Sequence, residues 1–416
     1  MTTMTRHRRQ AITGVTALMA AAALAATGCE SAANPPHSPQ SDGGRGQLVQ
    51  AEHLRTYTVD DVRKALGDNG FDAGATQFGV ETYRLVYRTI DPGGRETTAS
   101  GLLALPTGVG HELSTVAYEH GTQPTKADAP SVAGDGGDVP AVLTYASAGF
   151  AGVAPDYLGL GLGPGLHPYL DVPSETTASL DMLRAARSEA TALGQQLGGK
   201  IYATGFSQGG PAAMGLARAL QNGADNSWRA AAVAAIGGPF ALRSVQMPAA
   251  LDHNTLDPAS AGFYAAYFLV SWNHLHHLYG SPSEVFQPPY DATMDQLLDG
   301  SHSGDELHQG FPESIDQLLT PHAVGMLRNP TGTLADALRV SDSTCTDWTP
   351  RMPIRLYVGE KDTDVAADNS SQCRAALQQR GADAPIVDVG PVDHNGSGIG
   401  GTAQVARWFT QLEAGR

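Results

Sequence analysis

"KIYATGFSQGGPAAMGLARALQNG", residues 200–223, sets a serine between two glycines where an apolar run gives way to a helical pattern. The motif G-x-S-x-G says little by itself in a chain with 49 glycines among 416 residues, so the flanking residues decide its meaning. "KIYATG" has the content of a short strand, and "QGGPAAMGLARALQNG" repeats small and apolar residues at helical spacing before Gly223 stops it. A serine at such a junction fits a nucleophile elbow, where Gly205 and Gly209 let strand and helix approach closer than side chains would permit. The alternative, a glycine-rich helix start capped by a serine, demands nothing of the rest of the chain. The elbow demands an acid after a later strand and a histidine after the last one, in that order.

Both demands are met. "PIRLYVGEKDTDVAADNS" (353–370) puts Asp362 in the loop directly after a strand pattern, and "PIVDVGPVDHNGSG" (385–398) puts His394 between the next strand and the final helix. A serine hydroxyl is too weak an acid to attack a carbonyl unaided. His394 would take its proton and later deliver it to the leaving group, while Asp362 would hold the imidazole tautomer. Asp364 is the rival acid, and Asp393 stands beside the histidine. The oxyanion needs two backbone donors: Gln208, the residue after the serine, and Gly121 in "YEHGTQ" (118–123), with His120 or Thr122 as the other possibilities. His120 also reads as a brace for its own loop. This chemistry needs no cofactor and no metal.

Working outward, "TYRLVYRTID" (82–91) and "TTASGLLALP" (97–106) flank the turn cluster "PGGRE" and predict an antiparallel hairpin. Strand and helix patterns then alternate. "SETTASLDMLRAARSEATALGQQLG" (174–198) carries apolar residues at helical spacing from Leu180 to Leu197, with Glu175 in an acidic first turn. Such alternation predicts an α/β fold, a mostly parallel sheet with helices on both faces. Residues 241–350 contain helical patterns and no clear strand, which predicts an inserted helical cap. The expected organisation is a signal peptide (1–28), a flexible tether (29–50), a core in two parts (51–240 and 351–416) and the cap between them.

The N-terminus reads as an address. "TRHRRQ" is a basic start, "AITGVTALMAAAALAA" a short apolar run, and "ATGC" ends at Cys29 in the manner of a bacterial lipobox. The apolar run is too short for a membrane span. Cys29 would become a lipidated N-terminus anchored to the outer face of the cytoplasmic membrane, which makes the chain exported, whether cell-surface or secreted. Cys345 and Cys373 are the remaining cysteines, and an even pair in an exported chain predicts one disulfide. The net charge is −16, and the first 28 residues hold arginines but no acid, so the remainder is more acidic still. Such a surface repels phosphate backbones and argues against nucleic acid as a partner.

Several of these motifs resemble the α/β-hydrolase superfamily, and within it the secretory lipase family of bacterial and fungal esterases. The resemblance rests on "YEHGT", on "APDYLGLG" with "HPYL", on "GFSQGG", and on "WTPRMPIRLYVGEKDTDV" with "DHN", and it spans about residues 80–413. It implies Ser207, Asp362 and His394 as a triad, a helical lid above an acyl-binding pocket, and a small-molecule or lipid ester as substrate. Ala366 stands where relatives often place a proline. The rival readings are a serine peptidase on the same scaffold and a non-catalytic surface lipoprotein.

Three further features have bland explanations beside interesting ones. "GLGLGPG" (159–165) lacks dinucleotide-loop spacing and reads as a loop at the pocket rim, with Asp156 and Tyr157 bracing neighbouring loops. His274, His276 and His277 point to different faces of one helix and do not form a metal set. Phe263, Tyr264, Tyr267, Phe268 and Trp272 recur at helical spacing, suiting either cap packing or an acyl tunnel.

Overall fold

The computed structural model describes residues 44–252 and 255–415. The signal peptide, Cys29 and most of the expected tether lie outside these residues. In chain order the elements begin with β1 (Leu48–Tyr57), α1 (Val59–Asp68), β2 (Val80–Ile90), β3 (Glu96–Pro106), β4 (Glu112–Glu119), α2 (Val139–Ser147) and β5 (Ala151–Pro155). Then come α3 (Val172–Ala192), β6 (Gln196–Phe206), α4 (Gly209–Gln221) and β7 (Arg229–Ile236). The segment from β7 to the next strand carries α5 (Met247–Leu251), α6 (Pro258–His276), α7 (Met294–Leu297), α8 (Gly304–Gly310), α9 (Ile315–Leu318), α10 (Pro321–Arg328) and α11 (Gly332–Ser341). β8 (Ile354–Gly359), α12 (Asp368–Gln379), β9 (Ile386–Gly390) and α13 (His394–Ala414) complete the chain.

The nine strands form one sheet in the order β1-β2-β3-β5-β4-β6-β7-β8-β9. Pairing is antiparallel from β1 to β5 and parallel from β5 onward. The β2–β3 hairpin closes on Asp91, whose Oδ1 accepts the Gly93 and Arg95 N–H groups. Parallel neighbours cannot be joined by so short a turn, which is why helices separate the later strands. The chain moves from β4 outward to β5 and then returns past β4 to β6. This reversal leaves a crevice at the carboxyl ends of β4 and β6, where open α/β sheets place their ligands.

Alternation along the central strands supplies both faces of the core. Leu103 and Leu105 of β3 face one side with Leu85, Met182, Met214 and Leu216, so α3 and α4 cover it. Leu102 and Ala104 face the other, with Val62, Val142, Trp408 and Phe409 from α1, α2 and α13. The helical segment between β7 and β8 has an apolar cluster of its own, including Phe268, Trp272, Leu318 and Leu338, into which Tyr169 and Leu170 from the loop after β5 insert. Among the described residues no helix is long and apolar enough to cross a membrane.

Some sequence boundaries move. The tether was expected to run to residue 50, but β1 begins at Leu48, and Gly46 already donates its N–H to Arg88 O. β1 is a mostly exposed edge strand, so it lacks the alternating apolar pattern that announces a strand. The helix expected through Leu197 ends at Ala192, and Gly194 takes the left-handed conformation (φ 79°). Leu197 belongs instead to β6. The start also shifts: α3 begins at Val172, ahead of the stretch expected from residue 174, and Asp171 caps it by accepting the Ser174 N–H. Cys345 and Cys373 form a disulfide that ties the residues after α11 to α12.

At the β6–α4 junction Ser207 sits at φ 54°, a conformation that costs a non-glycine residue about 1–3 kcal/mol. A Cβ on Gly205 would lie 2.1 Å from Gly209 O, and one on Gly209 would lie 1.9 Å from Glu119 O. Both obstacles are backbone, so neither can swing aside. Gly209→Ala must therefore push α4 away from β4, and we expect reduced thermal stability and loss of Ser207 labelling by a fluorophosphonate. Wild-type melting and labelling in this variant would show that the close approach is dispensable.

Candidate active site

The three side chains expected from separate loops meet above the sheet. His394 Nε2 is 2.9 Å from Ser207 Oγ, and His394 Nδ1 is 2.7 Å from Asp362 Oδ2. All three side chains are nearly excluded from solvent. The Asp362 carboxylate makes Nδ1 the protonated nitrogen, which leaves the Nε2 lone pair to accept the serine hydroxyl. Asp362 is itself aimed by its own loop, because Oδ1 accepts the N–H groups of Asp364 and Val365. His394 is the first residue of α13. Asp393 caps that helix by accepting the Gly396 N–H and so does not face the imidazole's nitrogens as Asp362 does. Phe206 packs against the imidazole at 4.7 Å between centroids.

Asp364, the rival acid, has a different task. Its Oδ2 accepts the Tyr264 hydroxyl at 3.1 Å, and its carbonyl accepts Gln246 Nε2 at 2.7 Å. The Asp257 N–H donates to Thr363 O. The acid-bearing loop is thus bonded to the helical segment by these three hydrogen bonds at two consecutive residues, Thr363 and Asp364. That segment also holds the loop after β4, since the Tyr267 hydroxyl donates to Gln123 O and Tyr267 stacks on Tyr169 at 4.4 Å. The aromatic run on α6 is therefore divided. Tyr267 and Trp272 are buried in packing, whereas Tyr264 and Phe268 line a cavity that reaches Ser207.

Ser207 opens onto two hollows. One is a narrow, mainly apolar cavity of about 80 Å³ bounded by Leu170, Leu242, Met247, Leu256 and Phe268. The other is more polar and is lined by Gly121, Thr122, Gln123, Asp138, His394 and Asn395. Gln208 precedes the first residue of α4, where the opening N–H groups of a helix have no partner inside it. The expected donors Gln208 and Gly121 thus flank the serine. His120 is fully buried and spans Gly121 O and Asp156 O, so it braces its loop. Asp156 does likewise, accepting the Ser100 and Ser131 hydroxyls.

Beneath the elbow lies a polar cluster that motif reading passed over. Gln208 Nε2 is 2.8 Å from Glu175 Oε1 and 2.7 Å from His167 Nε2. Ser179 donates to Glu119 Oε2 at 2.8 Å. Burial pushes the Glu119 carboxyl up to about 7 and the Glu175 carboxyl well above the usual range, and it drives His167 down to about 3. The signal was present: Glu175, Ala178, Ser179 and Met182 share one buried helix face, so Glu175 is a charged residue at a core phase. Elsewhere, His276 packs edge-on against Trp272, and among the described residues no group of three or more His, Cys, Asp or Glu could hold a metal ion.

No family model and no curated protein matches the chain. Solved structures do. A Legionella pneumophila protein provisionally described as a hydrolase is 26% identical with a TM-score of 0.80, over 88% of this chain and 98% of that one. The rice cell wall degrading esterase LipA from Xanthomonas oryzae is 28% identical with a TM-score of 0.74, over 89% of this chain and 96% of that one. Candida antarctica lipase A in its closed state shares the fold, at 16% identity and a TM-score of 0.63, over 89% of this chain and 83% of that one. By its fold and by these neighbours, the chain belongs with the α/β-hydrolases, in the company of esterases and lipases.

Proposed function

We propose that this chain is an exported serine hydrolase that cleaves carboxylic esters through an acyl-serine intermediate. The observation that carries the reading is the continuous line from Asp362 Oδ2 through His394 to Ser207 Oγ, with contacts of 2.7 and 2.9 Å. As Oγ attacks the ester carbonyl, its proton passes to His394 Nε2, and the carboxylate of Asp362 stabilises the imidazolium. The carbonyl oxygen becomes an oxyanion held by the N–H groups of Gln208 and Gly121. Collapse expels the alcohol, which takes the proton from Nε2. Water then repeats the sequence to release the acid and restore the serine.

The two hollows divide the substrate. The acyl chain suits the apolar cavity against Met247 and Phe268, and the alcohol side faces the polar cleft. Export is supported by the basic and apolar start ending at Cys29 and by a disulfide, which persists in oxidising compartments. Cys29 would carry the lipid.

Three outcomes are expected. Ser207→Ala should lower kcat on p-nitrophenyl esters by about 10⁴-fold or more, and Asp362→Asn by about 10³–10⁴-fold, because the amide imposes the wrong imidazole tautomer. Near-normal turnover in either would remove the mechanism. In an acyl-length series kcat/KM should rise about fourfold per methylene until the cavity is full. Met247→Trp should move that optimum to shorter chains; an unmoved optimum places the acyl group elsewhere. Finally, Cys29→Ser should shift the chain from the membrane fraction to the soluble one, and mass spectrometry of the wild-type N-terminal peptide should find the lipid; its absence would refute the anchor.

A further inference from the structure

The side chain of Gln208 has no part in the chemistry just described, yet it is buried directly beneath the nucleophile. An amide offers two N–H donors and one oxygen. Both donors are engaged, one by Glu175 Oε1 at 2.8 Å and one by His167 Nε2 at 2.7 Å. His167 Nδ1 faces Leu158 O at 3.0 Å, so Nδ1 carries the proton of this neutral ring and Nε2 is an acceptor. That settles the orientation of the amide. Turned over, it would set its oxygen against a nitrogen without a hydrogen and against a carboxylate oxygen.

One mismatch is left. Gln208 Oε1 and Glu175 Oε2 are both buried and without a hydrogen-bond partner. A buried oxygen left without a donor is destabilising, and these two belong to side chains already joined by a hydrogen bond. No Lys or Arg among the described residues pairs with Glu175, and its charged neighbours Asp171 and Glu119 are acids. Tyr157, whose hydroxyl is pushed well above its ordinary range by burial, lies in the same cluster. The donors that face Glu175 are the Gln208 amide and the Leu170 N–H, and no cation stands beside it, so an ionised Glu175 would have nothing of opposite charge to balance it.

We propose that Glu175 is a neutral acid whose hydroxyl donates to Gln208 Oε1, closing a two-bond acid–amide ring that pins the backbone N–H of Gln208 toward the oxyanion. This rests on the reading of Ser207 as the nucleophile. One proton satisfies both orphan oxygens. Gln208 is then anchored to α3 from the side and to the elbow from the main chain. The anchor matters because Ser207, at φ 54°, holds a strained turn and the peptide that follows it carries the Gln208 N–H. Glu175 and the Gln208 side chain are positioning groups acting through that peptide.

The test compares Glu175→Leu, Gln208→Leu and Glu175→Gln, each with its melting temperature. Glu175→Leu and Gln208→Leu should lose about tenfold to a hundredfold in kcat on a short-chain p-nitrophenyl ester with KM little changed. They should lose affinity for an alkylboronic acid in the same proportion. Glu175→Gln should recover most of the loss, since its amide N–H donates to Oε1 in place of the acid. If Glu175→Leu does not fold, Gln208→Leu and Glu175→Gln carry the comparison. Full kcat in either leucine variant, or a Glu175→Gln as impaired as Gln208→Leu, overturns the proposal. An infrared difference spectrum of Ser207→Ala minus Ser207→Ala/Glu175→Gln at neutral pH should show a protonated carboxyl band. That measurement needs no turnover. A missing band defeats the acid–amide ring alone, whereas an inactive wild type that no fluorophosphonate labels defeats the esterase reading alone.

Discussion

The contact on which the rest depends is the approach of α4 to the backbone of β4 and β6. Gly209 lies so near Glu119 O that a single methyl group there would overlap a carbonyl. Because the contact is backbone against backbone, it fixes where α4 begins, and so where Ser207 must turn. The turn forces φ to 54° and lifts the hydroxyl clear of the sheet. It also opens α4 with Gln208, whose N–H stands beside the serine. One steric constraint thus sets the candidate nucleophile, a candidate oxyanion donor and the crevice between β4 and β6 together.

That turn is supported by groups that do not themselves react. Asp362 is aimed by the N–H groups of its own loop, and the loop is bonded to the helical segment through Gln246, Asp257 and Tyr264. The same segment reaches the loop after β4 through Tyr267. A helical insertion that grips the loops on both sides of the serine does more than cover it. Its departure would loosen the acid and the second candidate donor along with any acyl-binding wall.

The acidic groups under the elbow follow a different logic. Glu119, Glu175 and Asp156 are buried among hydroxyls and amides rather than cations. In a dry interior such groups are tolerated when they shed their charge or gather enough donors. Asp156 gathers the hydroxyls of Ser100 and Ser131 and the Ser131 N–H. Glu119 and Glu175 have fewer donors, and burial raises both.

Local sequence determined a good deal here. The elbow at Ser207, the order serine, acid, histidine, the β2–β3 hairpin and the run of strands and helices all come from short-range patterns, because glycine tolerance and apolar periodicity are properties of neighbouring residues. Polar β1 was not legible, since an exposed edge strand needs no apolar face. Only the tertiary structure separated Asp362 from Asp364 and Asp393, which are alike in composition and lie in two short loops. It distinguished the residue facing the imidazole from the one latched to Tyr264 and the one capping α13. Only packing made Glu175 a buried partner of Gln208 rather than an acidic helix start. Proton positions and buried pairs depend on what arrives from distant parts of the chain, and no local pattern carries that.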